Sequence, residues 1–344
     1  MNYVGIDVSS KSLVVHAIDR KKRPVFQGEI APVKTALLKL IDDLGPESMK
    51  VVFEAGNQMK WLAETLQGCD SVDLHVVHPN ELKWISKSSS KTDKVDARKM
   101  AELARGDLLP RKVHIVEGSV RALRELASAR LTIQAKRIAL INSIRALLLQ
   151  EGVRLTEKFF GRHDWRERLD KIPVSETGRI IITAYMQSID ALQETEAELT
   201  EKIVAIKDER LEFLESIPGI GLLSSRVLLG ALDNVQRFDD RKAVGKYGAL
   251  TPTIYQSGSV TNLGRINRDG RHEVRRVLLQ CAHTVARMKS FESRPLREFF
   301  ERLMKRRGKK IAIVALARKL LTIAYGVLKN QEYYNPARLT PYAV

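Results

Sequence analysis

Asp93 and Asp96 lie three residues apart in the stretch Lys91-Thr-Asp-Lys-Val-Asp-Ala-Arg98, so they share one face if that stretch is helical. A helix start is expected there. A Ser/Thr run precedes it to supply an N-cap, and Val95, Met100 and Leu103 follow at apolar spacing. Taken alone, the pair has an ordinary reading, with Asp93 closing a capping box with Ser90 and Asp96 favouring the helix dipole. Two further acids change the balance. Asp7 is expected at the end of a first strand and Glu54 at the end of a fourth, both interrupting apolar runs where an unpaired charge is costly. If these strands are neighbours, Asp7, Glu54, Asp93 and Asp96 converge into an all-oxygen site for Mg²⁺ or Mn²⁺, suited to phosphoryl transfer.

The elements that must position these acids are legible as alternating patterns. Tyr3–Val8, Leu13–Ile18 and Pro24–Ile30 read as strands, with a turn at Asp19–Arg23. A helix is expected over Ala31–Leu44, stopped by Gly45-Pro46. The strand Lys50–Glu54, a helix over Gln58–Leu66 and the strand Val72–Val77 follow, then a short segment and the helix of Asp93 and Asp96. The order β-β-β-α-β-α-β-α predicts an antiparallel meander extended by parallel crossovers.

Beyond a junction at Pro110–Gly118, a heptad-like seam runs through Ala127, Leu131, Ile138, Ile141 and Leu148, broken by Gln134 and Arg145. A second seam runs through Ile189, Leu192, Leu199, Ile203 and Ile206, with Glu196 in it. Gly161, Trp165 and Pro173 lie between them, so an antiparallel helical hairpin is expected, extended and open to self-association. Arg121, Arg124, Arg130, Lys136, Arg137 and Arg145 stud its first helix, as a solvated charged face or a nucleic-acid contact.

In the last third, Ser216-Ile-Pro-Gly-Ile-Gly221 before Leu222–Leu232 is a helix-hairpin-helix signal. Gly219 and Gly221 would let backbone N–H groups approach a phosphate, although a simple tight turn has the same composition. Thr251–Ser259 reads as a polar loop holding Ser257 beside Gly258, which by itself is an ordinary turn. Arg265, Arg268, Arg271, Arg275 and Arg276 follow closely, and guanidinium groups bind phosphate bidentately. No histidine accompanies Ser257 as a base, which argues against a protease or esterase. Lys305, Arg306, Arg307, Lys309 and Lys310 form a basic run, as a phosphate contact or a solvated helix end.

Composition points the same way. In 344 residues the net charge is +17 and the pI is about 9.8, which calls for a polyanionic partner. Cys69 and Cys281 have no metal-ligand spacing, and a cytoplasmic, disulfide-free chain is expected. The N-terminus has no basic n-region and no long apolar run of a signal peptide, and no segment is expected to be long enough to cross a bilayer.

Gly5-Ile-Asp7, the strand-end Glu54 and Thr92-Asp93-x-x-Asp96-Ala-Arg98 resemble the RuvC-type branch of the RNase H fold, and more narrowly the DEDD transposases of IS110 and IS1111 insertion sequences and the related Piv DNA invertases. Gly5-Ile-Asp-Val-Ser-Ser10 also resembles the phosphate loop of actin-like ATPases, but their second Asp-Gly motif and adenosine loop are missing. Ser216–Gly221, Gly248-Ala-Leu-Thr-Pro252, Tyr255-x-Ser257-Gly258 and Ala324-Tyr-Gly-Val-Leu328 extend the transposase resemblance to nearly the whole chain.

That resemblance implies four segments: a RuvC-like DEDD domain over 1–112, a helical arm over 119–208, a mostly α serine transposase domain over 209–330 and a tail over 331–344. It implies Asp7, Glu54, Asp93 and Asp96 as ligands of Mg²⁺ or Mn²⁺, and Ser257 as a nucleophile forming a phosphoserine link to DNA. Ser259 lies close to that position. It also implies donor and target DNA, a structured guide RNA, and a dimer or tetramer whose active site is shared between chains, acting in a prokaryotic cytoplasm at the nucleoid. A metal-dependent junction nuclease and a non-catalytic RNA-binding scaffold are the competing expectations.

Overall fold

The computed structural model describes residues 1–86, 92–257, 260–267 and 270–339. The chain divides into two compact units, Met1–Ile115 and Val116–Val344.

In the first unit the order is β1 (Asn2–Val8), β2 (Leu13–Ile18), β3 (Pro24–Ile30), α1 (Lys34–Asp43), β4 (Met49–Glu54), α2 (Met59–Gln67), β5 (Val72–Val77), α3 (Pro79–Ser86) and α4 (Asp93–Arg105). The five strands form one sheet in the order β3-β2-β1-β4-β5, with β1, β2 and β3 antiparallel and β1, β4 and β5 parallel. The β2–β3 turn closes because the Asp19 carboxylate accepts the Lys21 and Arg23 N–H groups at 2.8 and 2.9 Å. The short segment expected before Asp93 contains an additional helix, α3.

Strand alternation divides the sheet into two faces. Val4 and Ile6, Leu13 and Val15, Val51 and Phe53, and Leu74 and Val76 form one core with Leu37, Leu40 and Ile41 of α1 and Leu62, Ala63 and Leu66 of α2. Removing each of the Val, Leu, Ile and Phe side chains from water contributes about 1.5–3 kcal/mol. On the opposite face Val52 and Val77 pack with Met100 and Ala104 of α4, and Tyr3 lies against the same cluster. Gly5 makes this second contact close: a Cβ there would stand 2.0 Å from Ala97 O and 2.7 Å from Ala101 N.

The second unit is mostly helical: α5 (Gly118–Gln150), α6 (Trp165–Asp170), α7 (Glu176–Ala205), α8 (Arg210–Glu215), α9 (Leu222–Leu232), α10 (Arg241–Tyr247), the hairpin β6 (Pro252–Ser257) and β7 (Val260–Ile266), then α11 (His272–Val285), α12 (Arg294–Arg307) and α13 (Lys309–Asn330). α5 and α7 pack along each other as the expected antiparallel hairpin. Its turn carries a small core of its own, with Phe159, Trp165 and Leu169 against Ile144, Leu148, Ile182 and Ile189. At the other end Leu123, Ala127 and Ile203 join the main core around α13.

Between those two apolar ends the seam is polar. Glu196, 8% exposed, accepts from Arg130 at 2.8 Å, Gln134 at 3.2 Å and Arg137 at 3.0 Å. The regular seam expected through Ile138 is therefore interrupted, and Ile138 is 42% exposed. The expectation for the membrane also needs correction: α13 is long and apolar enough to span a bilayer by length and composition. Here it is the central helix of a core, with Leu316, Leu320, Leu321 and Ala324 fully buried.

Candidate functional site

The four acids of the first unit are placed by register. β1 and β4 run parallel, with Gly5 opposite Val52 and Ile6 opposite Phe53. Asp7 and Glu54 stand one step further, at the C-terminal ends of neighbouring strands. Asp7 alternates in phase with Gly5, and Glu54 with Val52, so both belong to the face covered by α4. Glu54 pairs with Val77 of β5, which lies on that same face.

α4 runs antiparallel to β1: Tyr3 is in the cluster of Met100 and Ala104, whereas Gly5 faces Ala97 and Ala101. Continuing from Gly5 to Asp7 therefore leads toward the first turn of α4, where Asp93 and Asp96 lie. Thr92 sets that turn as the N-cap, its hydroxyl accepting from Val95 N at 3.3 Å. The Ser90 of the expected capping box lies outside the described residues. Asp93 is exposed, while Asp7, Glu54 and Asp96 are half-buried.

The carboxylates of Asp7, Glu54, Asp93 and Asp96 are a donor set of the chemical kind that Mg²⁺ and Mn²⁺ take. As the side chains stand, no group of three or more His, Cys, Asp or Glu among the described residues already forms a metal cage. The register sets Asp7 and Glu54 at neighbouring strand ends on the face that α4 covers, and Asp93 and Asp96 lie in the first turn of α4.

Beside the acids, a cleft of about 360 Å³ is lined by His16, Lys22, Gln27, Lys94, Arg98 and Glu102. His16 sits on β2 opposite Gly5 and is 8% exposed. Burial, and then the nearby Arg98 charge, hold its pKa below 6.5, against the opposing pull of Glu102. Of these, Arg98 belongs to a motif quoted from the sequence, and His16, Lys22, Gln27 and Glu102 do not. The available signal was a histidine interrupting the apolar run Leu-Val-Val-His-Ala-Ile.

Ser257 ends β6 and pairs with Val260 of β7, so the expected polar loop is a β-hairpin over most of its length. Gly258, Ser259 and Arg268 lie outside the described residues. Arg265 is exposed on β7. Arg271 is the N-cap residue of α11, and Arg275 and Arg276 lie in that helix. Arg275 is 3.2 Å from His272 Nδ1, and Arg276 donates to Gln134 Oε1 at 3.1 Å. Lys305, Arg306, Arg307, Lys309 and Lys310 are exposed around Gly308, where α12 gives way to α13.

The two glycines of the hairpin motif do different work. Gly219 has φ +82, and its missing side chain admits α11: a Cβ would stand 2.5 Å from Val285 Cγ2. Gly221 faces open space and caps α9, whose first turn has no side-chain cap.

Most of the arm's cations are engaged within the fold. Arg124 donates to Gly230 O at 3.0 Å and Ala231 O at 3.4 Å, satisfying the C-terminal end of α9. Arg121 donates to Val116 O at 2.7 Å, and Arg145 to Thr156 O and Glu157 O. With Arg130 and Arg137 on Glu196, the solvated or nucleic-acid-binding face expected here is largely a structural one; Lys136 is exposed.

A stretch in each of the two units matches a transposase family model. Residues 4–152 match a family model described as "Transposase", of the DEDD type of IS110. Residues 211–298 match one described as "Transposase IS116/IS110/IS902 family". Over these two stretches the chain is similar to the insertion-sequence transposases of that family.

Among curated relatives, the transposase for insertion sequence element IS1111A of Coxiella burnetii is 28% identical over 257 residues, covering 71% of this chain and 68% of the relative. A putative transposase of Sinorhizobium fredii, y4pF/y4sB, is 22% identical over 97% of this chain and 86% of its own length. The pilin gene-inverting protein of Moraxella bovis is 34% identical over 131 residues, 37% of this chain and 39% of the relative.

Proposed function

We propose that the first unit is an RNase H-like, RuvC-type catalytic domain and that the chain cuts and rejoins DNA as a mobile-element recombinase in a bacterial cytoplasm. The observation that supports this most is the placement of Asp7 and Glu54 on adjacent parallel strand ends, on the face leading to Asp93 and Asp96. The finer division into catalytic domain (1–112), arm (119–208), transposase domain (209–330) and tail belongs to the same reading.

Asp7, Glu54, Asp93 and Asp96 would hold Mg²⁺ or Mn²⁺. When bound, the ion supplies Lewis-acid stabilisation of charge on the scissile phosphate. Ser257 is the nucleophile: its hydroxyl oxygen bonds to phosphorus, its proton passes to solvent, and the bond to one DNA oxygen breaks. That oxygen leaves with a proton from water. A DNA hydroxyl then attacks the phosphoserine and releases the serine, so the strand is resealed without ATP. Arg265, Arg268, Arg271, Arg275 and Arg276, with the basic run 305–310, contribute phosphate contacts, as do the backbone groups near Gly219 and Gly221. The net charge of +17 and the family resemblance support a structured guide RNA as the second polyanion, and strand exchange favours a dimer or tetramer.

The test combines two kinds of variant. Asp93→Asn or Glu54→Gln should abolish recombination and also the rise in Tm that Mg²⁺ gives the native chain. Ser257→Ala should bind nucleic acid but form no protease-sensitive adduct, whereas Ser259→Ala keeps it. Full activity of an acid variant in Mg²⁺ overturns the metal assignment. An adduct that survives Ser257→Ala overturns the serine assignment. Because all four acids lie in the first unit, a junction nuclease using water as nucleophile is the second reading. Metal-dependent cleavage with no covalent adduct would establish it. RNA-free protein recombining its sites at a normal rate would remove the guide RNA.

A further inference from the structure

The second unit carries a groove that the acid and serine chemistry leaves unused. It has a volume of about 710 Å³ and runs between α12, Lys319 of α13 and a short 3-10 helix at Pro336–Leu339. Its lining combines two features. Phe291 and Phe299 present aromatic surface, and Phe291 is 75% exposed at the start of the α12 segment. Among the described residues, Phe291 makes no ring or cation contact that would occupy its face. Around these rings stand Arg294, Arg302, Lys319 and Arg338.

The charges are only partly neutralised. Arg294 pairs with Glu298 at 2.8 Å, and Arg338 pairs with Glu332. Among the described residues Arg302 and Lys319 have no ion-pair partner. Lys319 is half-buried, and its pKa is lowered by that burial and by the neighbouring Arg241. A cation held away from water beside another cation favours an anion arriving from outside.

An exposed aromatic ring beside unneutralised cations is the combination that holds single strands: the ring stacks on a base face and the cations meet the phosphates. In a duplex, base faces are already stacked on one another and Phe291 has nothing to receive. We infer that this groove binds unpaired nucleotides of a single-stranded nucleic acid, with a base against Phe291 and backbone phosphate at Arg302 and Lys319. Stacking and phosphate charge are common to both sugars, so unpaired DNA and RNA segments are equivalent occupants. The inference goes beyond the cutting reaction and does not depend on it.

The experiment uses the full chain in EDTA, where cleavage does not interfere. Binding of a fluorescent oligothymidylate and an oligouridylate of about ten nucleotides, within the site size of small single-strand binders, is measured by anisotropy against a duplex of equal length. Phe291→Ala should weaken both single strands about tenfold, the scale of one lost base stack, and leave duplex binding unchanged. Arg302→Gln should make the salt dependence of single-strand binding shallower by about 0.7 in log–log slope. Phe291→Trp supplies a direct reporter: its added indole fluorescence should be quenched by unlabelled oligothymidylate.

Equal weakening for duplex and single strand would reduce the groove to bulk charge and overturn the inference. So would indole fluorescence that stays unmoved in Phe291→Trp at saturating strand, or a change of oligomeric state in place of strand affinity. None of these results bears on the acids or Ser257, whose failure is read separately by cleavage and adduct formation.

Discussion

Gly5→Ala tests the link between packing and chemistry. Gly5 is the point where α4 lies closest to β1, and the added Cβ would meet Ala97 O at 2.0 Å, Ala101 N at 2.7 Å and Met100 Cβ at 3.0 Å. Two of these atoms are backbone, so no side-chain rotation relieves the clash. Restoring ordinary contact requires α4 to lift by on the order of 1 Å, which also carries Asp93 and Asp96 away from Asp7 and Glu54. Overpacking of this kind costs about 1–3 kcal/mol, lowering Tm by about 4–20 °C. A displacement of that size at a reacting centre costs about 100-fold in rate. The assays are thermal unfolding by circular dichroism and DNA cleavage in Mg²⁺ well below the Tm. Gly56→Ala is the control, since a Cβ there meets nothing within 4 Å. Native cleavage and an unchanged Tm in Gly5→Ala would refute both the packing argument and the placement of the acids.

Glu196→Ala leaves Arg130 and Arg137 facing each other without their shared carboxylate, and should destabilise the helical unit by about 2–3 kcal/mol in urea unfolding; an effect near zero would make the polar layer incidental. His16 has a folded pKa below its unfolded value of 6.5, so the unfolded chain binds the proton more readily. Its stability contribution is present above 6.5 and is lost as pH falls toward the folded pKa, and His16→Gln should remove that part of the Tm-versus-pH slope. An identical slope in the variant would show that other groups carry it. Finally, co-assembling Asp7→Asn with Ser257→Ala should recover some cleavage if acids and serine act from different copies. No recovery from proven mixed oligomers would exclude that arrangement.

Much of the first unit was legible because its residues carry local signals. The strands β2, β3 and β5 have the bounds expected from alternating and apolar runs, and Thr92 caps a helix where a Ser/Thr run met apolar periodicity. The strand-end positions of Asp7 and Glu54 were legible because acids interrupt apolar runs there. The antiparallel arm was legible for the same reason, since its two apolar stripes repeat at helical spacing.

Other features depended on partners distant in the chain. Nothing local to Gly5 announces that Ala97 will fill the space of its missing side chain; that follows only once β1 lies beneath α4. Arginines on the first arm helix looked like a solvated face because a charge pattern on one helix does not reveal a carboxylate waiting on the other. Glu196, more than 50 residues later, decides that Arg130 and Arg137 point inward. α13 passes by composition for a membrane-spanning helix, and only the packing of its apolar residues among the surrounding helices makes it the centre of a core. Periodicity along one segment determines which face is apolar, but the partner that covers that face is chosen by tertiary contact.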